Sequence, residues 1–237
     1  MQIKLFHLAN SRSQRVIWLL EELQLDYEII QCTTQNDDLG LKQLKKLDPT
    51  AKFPTIQIIN NNENFILSET AAIMEYLSHS TKQLESALFS NQEYKNYCYW
   101  KNFSEATFMP DLALKQVFHQ IVTRTPFPLH LMPLIIKYAF DKAYLNAILQ
   151  QHMEKIEAHL AQHKWFAGNT FTIADLLLCF PISAYFYKQQ SDLKNHLQFP
   201  HIAQYLQEIE HRDAFKMAMD KGNWSQSTFK NYWKSAW

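Results

Sequence analysis

Residues 53–73, FPTIQIINNNENFILSETAAI, carry the order of elements that decides the N-terminal fold. Phe53-Pro54 opens the β-branched run Thr55-Ile56-Gln57-Ile58-Ile59, and a proline is tolerated at a strand start because its missing N–H costs no ladder bond there. Asn60-Asn61-Asn62-Glu63-Asn64 is a turn cluster, so Phe65-Ile66-Leu67 is expected to pair back as a hairpin. Ser68-Glu69-Thr70 then leads into an amphipathic helix over Ala71 to Leu77. Upstream, Ile3, Leu5 and Phe6 form a short strand, and His7 to Ser11 a polar loop. Val16, Leu19, Leu20 and Leu23 recur at helical spacing from Arg12 onward. Tyr27 to Gln31 is a second strand, and the helix over Asp38 to Leu47 ends at Asp48-Pro49, since the residue before a proline is pushed out of the helical region. The order βαβ-α-ββα gives a small mixed sheet with helices packed on it.

Beyond this α+β domain of residues 1–80, a polar connector at 81–89 leads into helical patterns at about 91–120, 137–163, 173–187 and 201–211, with shorter turns at 213–220. Pro126-Phe127-Pro128 and Phe199-Pro200 punctuate them. Residues 90–237 are therefore expected to form an all-α domain.

Composition excludes several functions. Only 3 glycines occur, Gly40, Gly168 and Gly222, too scattered for the clustered glycines of a dinucleotide fingerprint or a phosphate loop. With 23 basic and 23 acidic residues the formal net charge is zero, which leaves no whole-chain basic footprint for nucleic acid. Cys32, Cys98 and Cys179 form no C-x-x-C pair, so a reducing compartment is expected. Met1 to Arg15 lacks the pattern of a signal peptide and no apolar run reaches the length of a membrane span. The expectation is a soluble cytoplasmic protein with no nucleic-acid or membrane partner.

Phe53-Pro54, Leu67-Ser68-Glu69-Thr70-Ala71-Ala72-Ile73 and Phe171-Thr172-Ile173-Ala174-Asp175, in this order on a thioredoxin-like domain followed by a helical one, resemble the cytosolic glutathione transferase family. The stretch from Ser11 to Leu23 resembles its fungal and bacterial branch that includes the yeast microsomal-type enzyme. The resemblance covers nearly the whole chain. It implies a cis-proline at Pro54, so that the backbone at Phe53 pairs antiparallel with the cysteinyl part of glutathione. It further implies that Glu69 and Thr70, at a helix N-terminus, hold the γ-glutamyl end; the plain alternative is helix capping by Ser68 or Glu69. Lys52 is either the partner of the glycyl carboxylate or a solvated lysine.

In this family a group at the start of the first helix stabilises the glutathione thiolate. No tyrosine precedes Tyr27 and no cysteine lies between residues 7 and 15, which leaves hydroxyls and amides. Ser11 is taken as the donor, with Asn10 second and Ser13 third; the alternative for Ser11 is the N-cap of a helix beginning at Arg12. Arg12 and Arg15 either raise the local positive potential or are solvated. Phe103 and Phe108 are candidates for an electrophile pocket, within a stretch whose aromatics otherwise signal helix packing. Thr172 and Asp175 form a capping box that serves folding. His159 and His163 lack the acidic partner of a zinc motif and are assigned to a polar helix face, and no metal is expected.

The implied function is a glutathione transferase that uses glutathione as co-substrate, without other cofactor, against a small hydrophobic electrophile, as a homodimer. A glutathione-dependent disulfide or peroxide reductase, and a non-catalytic binding protein of the same fold, are the alternatives. The aromatic tail from Trp224 to Trp237 either closes over the pocket or packs between subunits. Gln24 stands where relatives place a glycine after the first helix, as Ala51 does before Lys52, so helix 1 either ends differently here or is strained at Gln24.

Overall fold

In the computed structural model, which describes residues 2–35, 37–50, 52–60, 64–85, 89–186 and 197–236, the first apolar strand extends over Gln2–Leu8 (β1). It has two neighbours. β2 (Tyr27–Cys32) runs parallel to it and β3 (Thr55–Ile59) antiparallel, while β4 (Asn64–Ser68) pairs antiparallel with β3, giving the order β2-β1-β3-β4. Between strands lie α1 (Gln14–Glu22), α2 (Leu39–Leu47) and α3 (Thr70–Thr81), which is the expected thioredoxin-like arrangement. Asn61 to Glu63 of the expected turn, Ala51 and part of the connector at 86–88 lie outside the described residues.

Two compact units result: Met1–Leu88 together with Glu208–Ser225, and Phe89–Gln207 together with Gln226–Trp237. The helical patterns predict a single all-α domain over 90–237, yet residues 208–225 group with the sheet. The reason is α1, whose residues Gln14 to Glu21 are all buried. A helix buried all round needs a second cover, and the helix at Asp213–Lys221 supplies it. Trp18 meets Phe215 edge-to-face at 5.0 Å. Arg212 makes two bonds of 2.6 Å to the Glu22 carboxylate, and Lys221 Nζ lies 2.6 Å from Glu21 Oε1.

The second unit is all-helical: α4 (Asn91–Phe103), α5 (Met109–Arg124), α6 (Leu131–Phe140), α7 (Asn146–Leu160), α8 (Ile173–Phe186) and, closing the chain, the helix at Gln226–Ala236. Single π-helical turns at Ser104–Phe108 and Asp141–Leu145 join α4 to α5 and α6 to α7. We number the remaining helices α9 (Pro200–Glu210), α10 (Asp213–Lys221) and α11 (Gln226–Ala236). Helix α6 begins before the expected Lys137. Pro133 falls in its first turn, where an N–H has no intrahelical partner to lose.

The core of this unit is α8, with Ile173 to Ile182 all buried. Its start carries the expected capping box. Asp175 accepts from the N–H of Phe166 (3.0 Å) and of Thr172 (2.8 Å), and burial still pushes its carboxyl up to about 7 against those bonds. The aromatic tail forms α11, whose Phe229 and Trp233 pack on Phe180 of α8 at 5.0 and 6.4 Å; those rings are core residues of the unit, and Trp237 lies outside the described residues. His159 corrects another expectation: instead of a polar face it stacks on Phe166 and bonds that residue's carbonyl oxygen at 3.0 Å, and burial pushes its pKa down to about 4.

Helix α1 ends in a left-handed turn without a glycine. The N–H of Leu25 bonds Leu20 O at 3.0 Å across Gln24, which takes φ +53°, the left-handed residue of a Schellman ending. An L side chain at such a φ costs on the order of 1 kcal/mol, and Gln24 is exposed. Gln24→Gly is therefore expected to raise thermal stability by about 0.5–1 kcal/mol net of the entropy glycine adds to the unfolded chain. A lower melting temperature would show that Gln24 is unstrained.

Candidate functional site

Three segments emerge at one end of the sheet. Phe6 pairs with Thr55, and Thr55 with Ser68, so the loop after β1, the stretch before β3 and the start of α3 after β4 are neighbours. At about 4.8 Å per strand they span roughly 10 Å, the reach of a short extended peptide.

The first segment is the β1–α1 loop. The helix starts at Gln14 with Ser13 as N-cap and no side-chain cap bond, so Ser11 is not the N-cap. Its hydroxyl faces inward instead, 2.8 Å from Leu8 O and 2.9 Å from Ser13 Oγ. Asn10 sits at φ +56°, a conformation asparagine tolerates better than most residues. Its Oδ1 accepts from the N–H of Ser225 at 2.8 Å. A backbone donor fixes which end of the amide is oxygen, so the Nδ2 hydrogens make no bond among the described residues. Arg12 is exposed and Arg15 is buried.

The second segment is Lys52 to Pro54. The Phe53–Pro54 peptide is cis, and Phe53 packs against the cluster of Phe6, Cys32 and Leu44. Thr55 Oγ1 donates to Lys52 O at 2.7 Å and meets Ser68 Oγ at 2.8 Å. Ser68 reaches Asp48, whose carboxyl is held below its ordinary range first by the Thr50 hydroxyl. These bonds tie the stretch before β3 to the end of β4.

The third segment is Glu69-Thr70. Glu69 adopts φ 71°, ψ 122° and makes no capping bond to α3. Ser68 is engaged with Thr55, so neither residue caps as the plain alternative required. A non-glycine residue at such a φ carries strain of about 1–3 kcal/mol, the kind that collects at binding sites. The Glu69 side chain is 70% exposed, with Oε1 3.6 Å from Lys52 Nζ; Thr70 is buried.

Asn10, Ser11, Lys52, Phe53, Pro54, Glu69 and Thr70 thus gather at one sheet end. Phe103 and Phe108 lie in the second unit. Phe108 is fully buried against Phe103 and His152, while Phe103 borders a groove shared with Tyr99, His152 and Lys155. Cys32 is buried, and burial pushes its thiol up to about 11. Sequence reasoning missed His7, Gln14 and the 218–225 stretch. His7 Nε2 bonds Gly222 O at 2.9 Å, and Gln14 Nε2 donates to Ala218 O. No local pattern carries pairings more than 200 residues apart.

A thioredoxin-like domain with a polar, peptide-sized sheet end, joined to an all-helical domain, is the class of architecture that the fold defines. Residues 11–80 match the glutathione S-transferase N-terminal domain and residues 122–213 the C-terminal domain. Glutathione S-transferase 3 of Schizosaccharomyces pombe is 32% identical over 92% of this chain and 87% of its own. A glutathione S-transferase structure from Actinobacillus pleuropneumoniae superposes with a TM-score of 0.70 at 26% identity, covering 93% of each chain. The disulfide-bond oxidoreductase YfcG of Escherichia coli is 23% identical over 92% of this chain and 95% of its own. The chain belongs to the glutathione S-transferase family.

Gly222 packs closely on the start of α1. A Cβ there would stand 2.1 Å from Gln14 Oε1. Gly222→Ala is expected to displace the Gln14 amide from Ala218 and cost about 1–3 kcal/mol, read as a lower melting temperature. A variant as stable as the unaltered protein would show that Gln14 is not holding the segment.

Proposed function

We propose that the first unit binds glutathione at this sheet end and that the protein is a glutathione transferase. The observation that carries the reading is the coincidence, across three adjacent strands, of the cis-proline stretch, the strained and uncapped Glu69 and a loop with an uncommitted donor. The backbone at Phe53 pairs with the cysteinyl part in strand fashion. The free N–H groups at the start of α3 and the Thr70 hydroxyl receive the γ-glutamyl carboxylate, Glu69 accepts from its ammonium, and Lys52 faces the glycyl carboxylate. The last two are now each other's neighbours and exchange that exposed pairing for the ligand.

Asn10 Nδ2 is the leading donor to the thiol. It replaces Ser11, whose proton has inward acceptors. Each unit by which a donor lowers the thiol pKa corresponds to about 1.4 kcal/mol in favour of the anion. The thiolate sulfur then bonds to the electrophilic carbon, and the leaving group departs with the electron pair of the broken bond. Glutathione supplies the nucleophile and the protein its position and charge. A homodimer, a cytoplasmic setting and a small hydrophobic electrophile belong to the same reading.

A second reading, glutathione-dependent disulfide reduction, is favoured by the likeness to the Escherichia coli oxidoreductase. Here the thiolate attacks a mixed disulfide, releasing one thiol and leaving glutathione disulfide. Turnover of an aryl halide supports the transferase, turnover of a mixed disulfide alone the reductase, and binding without either a non-catalytic protein. The pocket is tested by calorimetric titration: Glu69→Gln is expected to weaken glutathione binding about tenfold, near 1.4 kcal/mol, with little change in melting temperature. Unchanged affinity would refute it.

A further inference from the structure

Helix α6 is built inside out. Of its 10 residues only Lys137 is buried, while Leu131, Met132, Leu134, Ile135, Ile136 and Tyr138 are exposed, Met132 at 70%. At about 100° per residue these six side chains cover an arc of roughly 200°, twice the apolar stripe with which a surface helix faces a core. Phe127 and Leu129, exposed at 82% and 67%, carry the apolar surface into the turn before the helix. A contiguous bare face larger than a few hundred Å² marks an interaction site.

The outward orientation is held from inside. Lys137 Nζ lies 2.6 Å from Asp141 Oδ2, and Lys115 Nζ of α5 lies 3.1 Å from Oδ1 of the same carboxylate, with all three side chains largely enclosed. Rolling α6 to hide its apolar arc would pull Lys137 off that carboxylate, and a buried ion pair is costly to break. Charge on this stretch is one-sided as well. From Leu112 to Phe140 the chain contains no Asp or Glu, while Arg124 at the end of α5 and Lys142 just after α6 are exposed. A second copy would bring the same cations to the patch and, packing helix on helix, cover only part of the arc. An anionic lipid surface receives a helix sunk to half its girth and attracts the flanking cations.

We propose that α6 and the turn before it dock on an anionic membrane surface, with the apolar arc at the acyl boundary and Arg124 and Lys142 among the headgroups. Among the described residues no helix is long and apolar enough to cross a membrane, and α6, about 15 Å long, lies in the interface. The expectation of no membrane partner followed from the lack of a spanning run, which docking does not require. This surface is separate from the glutathione pocket, and neither reading depends on the other.

The full chain is tested by sedimentation with vesicles of phosphatidylcholine, with and without phosphatidylglycerol, and by its mass in solution without lipid. Binding to the mixed vesicles is expected, and weaker binding to phosphatidylcholine alone. Met132→Glu combined with Ile135→Glu is expected to lower the partition by about tenfold or more, whereas Met132→Leu combined with Ile135→Leu leaves it unchanged. Arg124→Glu combined with Lys142→Glu is expected to remove the preference for phosphatidylglycerol. Met132→Trp adds a readout that keeps the face apolar: its fluorescence is expected to be quenched by phosphatidylcholine brominated on the acyl chains. No sedimentation of the unaltered protein with either vesicle, equal partition of the glutamate variant, or no quenching of the added tryptophan would overturn the proposal. So would a dimer in solution that the glutamate variant converts to a monomer, since a second copy would then cover the face.

Discussion

The Gln14 amide at the first turn of α1 donates to Ala218 O, the His7 ring one strand away donates to Gly222 O, and the Asn10 amide accepts from Ser225 N–H. These three bonds join the end of β1, the loop after it and the start of α1 to a segment more than 200 residues later in the chain. The salt links of Glu21 and Glu22 with Lys221 and Arg212, about two helical turns further on, hold the same segment along α1. Glu22 has a side-chain exposure of only 9%, and removing its partner would leave a poorly solvated carboxylate, which makes such a pair costly to break from one side. The loop conformation, including the left-handed Asn10, follows from this attachment. Within the loop, Ser11 and Ser13 add hydrogen bonds to Leu8 and His7.

The opposite side of the sheet end is fixed differently. Asp48, Thr50, Thr55 and Ser68 form a chain of hydrogen bonds of 2.7 to 3.4 Å that ties the stretch before β3 to the residue before Glu69. Glu69 therefore has no freedom to relax into a capping conformation, and its strain is maintained by neighbours that have already satisfied each other. The result is a site that offers backbone and helix-end donors with one exposed acid and one exposed base. That pattern suits a zwitterionic peptide better than a phosphate, in keeping with the scarcity of glycine.

Local signals carried much of this. The alternation in Thr55 to Ile59, the turn asparagines and the apolar spacing of Val16 to Leu23 give the sheet and α1 because each pattern is satisfied by its nearest neighbours. The gathering of Lys52, Phe53, Pro54, Glu69 and Thr70 was legible through the family resemblance. Three things were not. The membership of 208–225 in the first unit depends on Trp18 meeting Phe215 and on charges paired across the chain, which no window of sequence contains. The inward turn of Ser11 rests on Leu8 O and Ser13 Oγ, partners that no spacing in the sequence specifies. The start of α6 at Leu131 was hidden because Pro133 marks an interruption in general but is harmless in a first turn.

Asn10 is the group proposed to meet the sulfur, with Ser11 turned away. A crystal structure with glutathione bound tests this most directly. The expected result is a sulfur within hydrogen-bond reach of Asn10 Nδ2, with Ser11 Oγ still on Leu8 O and the γ-glutamyl end at Glu69 and Thr70. A sulfur on Ser11 Oγ, with the Asn10 amide released from Ser225, would contradict it.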